Sequence, residues 1–104
     1  VLATGFAVRR DYCTESLTGF VRQVQRFKKV RMLGAAAIMG TFVGAGRVDA
    51  YMEDEIMLWD IAAAAAIVQA AGGMVTVQIL DDYKCICKCF ANTRLKEDYD
   101  AEGV

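Results

Sequence analysis

Histidine is absent from the 104 residues, and with it go the serine–histidine and cysteine–histidine arrangements that activate a nucleophile through a neighbouring imidazole. An excess of one charge is missing too. Twelve basic residues stand against thirteen acidic ones, a formal net charge of -1, so no global field draws the protein to nucleic acid or anionic lipid. The basic cluster Arg22, Arg26, Lys28, Lys29 and Arg31 has no exposed aromatics between its charges, because Phe20 and Phe27 fall on an apolar stripe. No nucleic-acid partner is expected. Long apolar runs are lacking: the Ala-rich stretch 61–71 is too short to span a bilayer and Gly72-Gly73 ends it, so no membrane segment is expected. The glycines Gly40, Gly44 and Gly46 are not followed by Gly-Lys-Ser/Thr, which excludes a nucleotide-binding loop of that kind. Proline is absent as well, and nothing follows from it. The chain opens on Val1 with no initiator methionine and no signal-peptide pattern, and the expectation is a portion of a longer protein. Four cysteines without secretory features lead us to expect reduced thiols and a cytoplasmic location.

What is present describes a folding chain. A composition 56% hydrophobic and 24% charged suits one compact domain over residues 1–104. Residues 1–8 read as a strand broken by Gly5, and a polar connection follows. Over 14–29, Leu17, Phe20, Val21, Val24 and Phe27 recur at helical spacing, with Thr14 as the expected N-cap and basic residues at the carbonyl end. Residues 30–33 read as a brief strand, Gly34 as a turn, and 35–43 as a helix closed by Gly44-Ala45-Gly46. A strand over 47–52, an acidic loop Glu53-Asp54-Glu55 and a helix over 59–71 come next. Two strands over 74–80 and 84–90 flank the turn Asp81-Asp82, and a short helix is expected after Asn92. Strands alternating with helices predict a layered α/β domain whose mixed sheet is mainly parallel until its final pair, with flanking helices.

The informative segment lies between Val30 and Gly73. It carries Gly34-Ala35-Ala36-Ala37, then Gly46-Arg47-Val48-Asp49-Ala50-Tyr51-Met52-Glu53, then Trp59-Asp60-Ile61-Ala62, then Ala71-Gly72-Gly73. In kind and order these pieces resemble the inositol monophosphatase family, whose members show a small-residue turn, a G-R-x-D-A-Y-x-E strand, W-D-x-A at a helix start, and A-G-G. Ala3-Thr4-Gly5-Phe6 is similar to the strand that precedes this region in bacterial members. The resemblance covers most of the chain up to about Val77. It implies the C-terminal domain of that fold, and a magnesium-dependent phosphomonoesterase acting on inositol monophosphate or a similar small phosphorylated polyol.

By the resemblance, Asp60 is a ligand of Mg²⁺. Physically, a carboxylate at the start of a helix offers the hard oxygen that magnesium favours, and the ion completes its shell with water and substrate phosphate; capping of the helix explains an Asp there equally well. Glu53 corresponds to the residue that accepts hydrogen bonds from polyol hydroxyls, and as a bare sequence feature it is also a solvated loop acid beside Asp54 and Glu55. Gly34 permits a tight turn, and Ala35 and Ala36 leave room for a substrate against main-chain amides at a helix start; a close-packed turn is the alternative. Arg31, as a lone arginine, reads as a surface residue.

The chain lacks the acidic pair and the D-P-x-D-G-T motif that relatives carry upstream, and residues 55–58 depart from the glycine and proline common before W-D. Two-metal hydrolysis needs more carboxylates than are available. The N-terminal half of the same enzyme is therefore an expected partner, a homo-oligomer is expected from relatives, and the chain alone should hydrolyse little. The rival reading is a non-catalytic assembly domain that keeps the fold. Cys85, Cys87 and Cys89 would share one face of a strand at a repeat of about 6.6 Å. Buried free thiols are a better reading of them than a zinc site completed by Cys13, because zinc motifs favour wider spacing.

Overall fold

The computed structural model describes residues 1–6 and 12–101, with the side chain of Glu55 left out. The expected strand at 1–8 and its polar connection therefore lie partly outside the described residues. The element order is β1 (Leu2–Thr4), α1 (Thr14–Gln25), β2 (Val30–Arg31), α2 (Ala36–Gly44), β3 (Ala50–Met57), α3 (Leu58–Ala70), β4 (Met74–Ile79), β5 (Lys84–Phe90) and α4 (Thr93–Ala101). The five strands form one sheet in the order β2-β1-β3-β5-β4. β1 pairs in parallel with both β2 and β3, while β5 runs antiparallel to β3 and to β4. Since β4 thereby shares the direction of the first three, only β5 opposes the rest. The α/β mixed sheet is as expected, with β5 inserted between β3 and β4 so that it contributes two antiparallel ladders instead of one.

Alternation along the strands sorts side chains onto two faces. On one face Ala3, Tyr51, Ile56, Cys85, Cys87 and Cys89 meet Met39 and Val43 of α2 and Ile61 and Val68 of α3. Burying each of these larger apolar side chains contributes roughly 1.5–3 kcal/mol. On the other face Leu2, Ala50, Met52 and Phe90 pack with Phe27, Leu95 and Tyr99. The three cysteines are fully buried and unpaired as disulfides, as the alternation implied. Thr4, the buried polar side chain of β1, donates its hydroxyl to Met52 O at 2.6 Å.

Three local expectations are corrected. The N-cap of α1 is Cys13, whose sulfur accepts from Ser16 N at 3.4 Å, and Thr14 is already helical. Among its stripe residues, Val21 is half exposed and α1 buries none of its side chains fully. Arg26 stands at the carbonyl end of α1 as its C-cap residue, with its guanidinium 3.5 Å from the centre of the Tyr99 ring. Finally, Glu53-Asp54-Glu55 is not a loop: β3 runs through it to Met57 and passes directly into α3.

The pair α2 and α3 is drawn together by small residues. A Cβ built on Gly40 would stand 2.9 Å from the Cα of Ala64, closer than real contacts allow. Gly40→Val should therefore lower stability by about 1–3 kcal/mol through overpacking. Urea unfolding reads this as a lower midpoint at unchanged slope, and an unchanged midpoint would contradict the tight helix contact.

Candidate functional site

Parallel strands deliver their carboxyl ends to one edge of a sheet, and in open α/β sheets that edge is where ligands bind. Here a cleft of about 530 Å³ opens at that edge. β1 runs out into Gly5 and Phe6, β2 leads to Gly34, Ala35 and Ala36, and β3 with α3 supplies Glu53, Ile56 and Asp60; all of these line the cleft, with Ala37 and Met39. The five residues singled out in the sequence, Gly34, Ala35, Ala36, Glu53 and Asp60, thus border one space. Gly5, Phe6, Ala37, Met39 and Ile56 border it too and were not singled out as site residues. Ala3-Thr4-Gly5-Phe6 was legible as a strand, but its run into the cleft was not.

Gly34 has φ +84°, a left-handed conformation, and no atom of the described residues lies within 4 Å of the position a Cβ would take. The turn needs glycine for its backbone and not for close packing. Ala35 follows as N-cap of α2 in extended conformation, with no side chain capping the helix. The first amides of α2 therefore keep their donors available at the positive end of the helix, the arrangement that receives anions.

Asp60 is the third residue of α3, exposed on the cleft side. Met57 occupies the N-cap position and no side-chain bond caps this helix. Capping, the ordinary reason for an aspartate here, does not account for Asp60. Glu53 lies within β3, not at its end, where pairing with β5 slips: Glu53 faces Cys87, but Ile56 faces Cys85. Three steps on β3 thus match two on β5, the signature of a bulge. The inserted residue reverses parity, so Tyr51 and Glu53 before it share a face with Ile56 after it.

Glu53 is half-buried. Its Oε1 accepts a hydrogen bond from Tyr51 Oη at 3.0 Å. Burial pushes its carboxyl above the usual glutamate value, the Tyr51 bond pulls it back, and the charges of Asp60 and Asp54 push it up again. Burial first, then the Glu53 charge, hold the Tyr51 hydroxyl protonated far above the ordinary phenol range.

The donors suit a hard divalent cation only in part. Two carboxylates border the cleft and repel one another, a cost that a cation between them would relieve. Among the described residues no group of three or more Asp, Glu, His or Cys side chains is placed to hold an ion. This also removes the cysteine zinc site from consideration. Magnesium, which keeps several waters and takes phosphate oxygens, is compatible with so few protein ligands. A second hollow of about 400 Å³ lies on the opposite face, bordered by Arg22, Arg26 and Lys88. Arg26 and Lys88 are held against the Tyr99 ring there.

A raised carboxyl keeps its proton in the folded state at pH values where the unfolded chain has lost it. Stability therefore falls as pH rises from the usual glutamate value through the folded one. Glu53→Gln keeps an oxygen for Tyr51 and removes the charge. Urea midpoints measured from pH 4 to 7 should show the variant gaining on the native chain as pH rises, and parallel curves would show that Glu53 carries no such cost.

A sequence model described as the inositol monophosphatase family matches residues 2–80. A Thermotoga maritima protein named fructose-1,6-bisphosphatase/inositol-1-monophosphatase is 51% identical over 55 residues, which are 53% of this chain and 22% of that protein. The Pseudomonas aeruginosa protein named Nus factor SuhB is 39% identical over 79 residues, 73% of this chain and 29% of its own length. Among solved structures, Mycobacterium tuberculosis SuhB superposes with a TM-score of 0.75 at 32% identity, covering 96% of this chain and 38% of that one. An Anabaena inositol monophosphatase gives a TM-score of 0.74 at 29% identity, covering 92% of this chain and 40% of that one. The chain thus spans between 22% and 40% of the length of these relatives. With three quarters of its residues inside the family match and the fold shared throughout, the chain belongs to the inositol monophosphatase family.

Proposed function

We propose that the cleft is the substrate side of a magnesium-dependent phosphomonoesterase, acting on inositol monophosphate or a similar small polyol phosphate. The observation that carries the reading is convergence: the uncapped start of α2, the Glu53 carboxyl and the Asp60 carboxyl border one space at the carboxyl ends of β1, β2 and β3. The family is generally magnesium-dependent, and Asp60, with no capping duty, is the residue to hold the ion. When bound, magnesium supplies Lewis-acid polarisation of phosphoryl oxygens and lowers the pKa of coordinated water.

The chain's own residues have separable duties. Main-chain amides at Ala36 and Ala37 donate to phosphate oxygens, aided by the helix dipole. Gly34 and the alanine methyls keep that approach uncluttered, which a bulky side chain would block. Glu53 accepts from a polyol hydroxyl and so orients the ligand relative to Asp60. Ile56 and Met39 give the cleft an apolar floor that limits water. The remaining carboxylates belong to a metal-binding half outside these residues, since no D-P-x-D-G-T occurs in the sequence. Association with that half, as part of one chain or as a separate one, is part of the proposal, as are a homo-oligomer and a cytoplasmic setting. Among the described residues no helix is long and apolar enough to cross a membrane.

The two-carboxylate limit, together with relatives named Nus factor SuhB, favours a second reading, an assembly domain that retains the fold without turnover. Phosphate release from inositol 1-phosphate separates the two. With the metal-binding half present, the native protein should show magnesium-dependent release, and Asp60→Asn should lose about 100-fold or more of it. Equal magnesium-dependent rates in the two proteins would remove Asp60 from the ion's shell, and no release in either would leave the assembly reading.

A further inference from the structure

We propose that Tyr51 is a positioning residue for this cleft: its buried hydroxyl and the bare backbone of Gly5 commit one oxygen of Glu53 to the protein and leave the other to accept from a ligand hydroxyl. The inference rests on the polyol phosphate reading only for the identity of that ligand. Tyr51 has no exposed surface, and a buried phenol must find a hydrogen-bond partner. Its partner is Glu53 Oε1, at 3.0 Å. The two residues stand two apart on one face of β3, before the bulge, so the ring lies beneath the carboxyl and the hydroxyl reaches it from the core side. A hydroxyl that stays protonated can only donate to a carboxylate, so the direction of this bond is fixed.

Gly5 closes the carboxyl from another side. A Cβ on Gly5 would stand 2.8 Å from Glu53 Cδ and 3.2 Å from Oε2, with Oε1 nearer still. A side chain at this position would displace the carboxyl from where it stands. Oε1 is thus enclosed between the Tyr51 hydroxyl and Gly5, while Glu53 as a whole borders the cleft. A carboxylate free at both oxygens can take two neighbouring hydroxyls at once. Held in this way, Glu53 offers the cleft its other oxygen, and the site favours a hydroxyl placed at that oxygen over a vicinal pair that spans both.

The test uses the chain with ¹³C at glutamate side-chain carboxyls. Glu53→Gln identifies the Glu53 resonance by its loss. Tyr51→Phe keeps the ring and removes the oxygen, and it should move that resonance in the ligand-free chain while the other glutamates stay in place. Should Tyr51→Phe fail to fold, Gly5→Ala, which crowds the carboxyl and leaves Tyr51 intact, should move the same resonance. With the metal-binding half and Mg²⁺ present, inositol 1-phosphate should bind Tyr51→Phe about tenfold more weakly than the native protein, the scale of one hydrogen bond to a charged group. Inorganic phosphate with Mg²⁺ should bind both proteins alike, and Tyr51→Phe should cost nothing further in a Glu53→Ala background, where the hydroxyl has no carboxyl to hold. An unmoved resonance, or an equal loss for inorganic phosphate, overturns the proposal. A resonance that moves, in a chain that binds no inositol 1-phosphate even with the metal-binding half and Mg²⁺ present, supports the placement of Glu53 by Tyr51 and overturns the polyol phosphate reading instead.

Discussion

Between Glu53 and Ile56 the pairing of β3 with β5 slips by one residue, and the positions of both cleft carboxyls follow from that slip. Before it, Tyr51 and Glu53 share the face that α2 and α3 cover. After it, Ile56 returns to the same face, and the strand passes into α3 with no intervening loop. In an unbulged strand, residues 53 and 56 would fall on opposite faces. The inserted residue lets one continuous segment place a half-buried acid and, seven residues later, an exposed acid on the first turn of a helix, both at the border of one cleft. Desolvation disfavours the first acid's charge, and the Tyr51 hydroxyl offsets part of that cost.

The two helices that flank the cleft are held to one another as firmly as to the sheet. Gly40 lies against Ala64 and Gly44 against Ile67, so the axes of α2 and α3 approach at positions without bulk. Both helices begin without a side-chain cap. Their starts therefore present unsatisfied donors whose separation is fixed by packing well away from the cleft. A geometry set in this way is pre-organised: a ligand that fits it does not have to order the chain first.

Much of this was legible in the sequence, and the reasons for the remainder are physical. The alternation of Cys85, Cys87 and Cys89 with Ile86 and Lys88 gives the buried face of β5 directly. The turn at Gly34 was readable because a left-handed backbone calls for glycine, and the W-D-x-A start of α3 through its resemblance to a family motif. The acidic run Glu53-Asp54-Glu55 misled, since three charges in a row read as solvated loop; pairing with β5 before and after the bulge holds it in a strand. The N-cap of α1 fell to Cys13, one residue before the expected threonine, because a thiol sulfur is a weaker acceptor that cap preferences do not favour. The Tyr51–Glu53 bond depends on register and on β1 arriving alongside, neither of which a single segment encodes. The order of β5 between β3 and β4 is likewise a long-range choice that periodicity cannot express.

The placement of the thiols has a practical consequence. Cys85, Cys87 and Cys89 have no exposed surface, while Cys13 is exposed at the start of α1. The thiolate is the reactive form, and a sulfur sealed from water is slow to meet an alkylating reagent. The molecule thus carries its own counter of conformational opening: one fast-reacting site reports the reagent, and three slow ones report how often the sheet and its helices part. Because those three sit beneath the helices that border the cleft, their labelling rates gauge the integrity of the scaffold without any probe attached to the cleft itself.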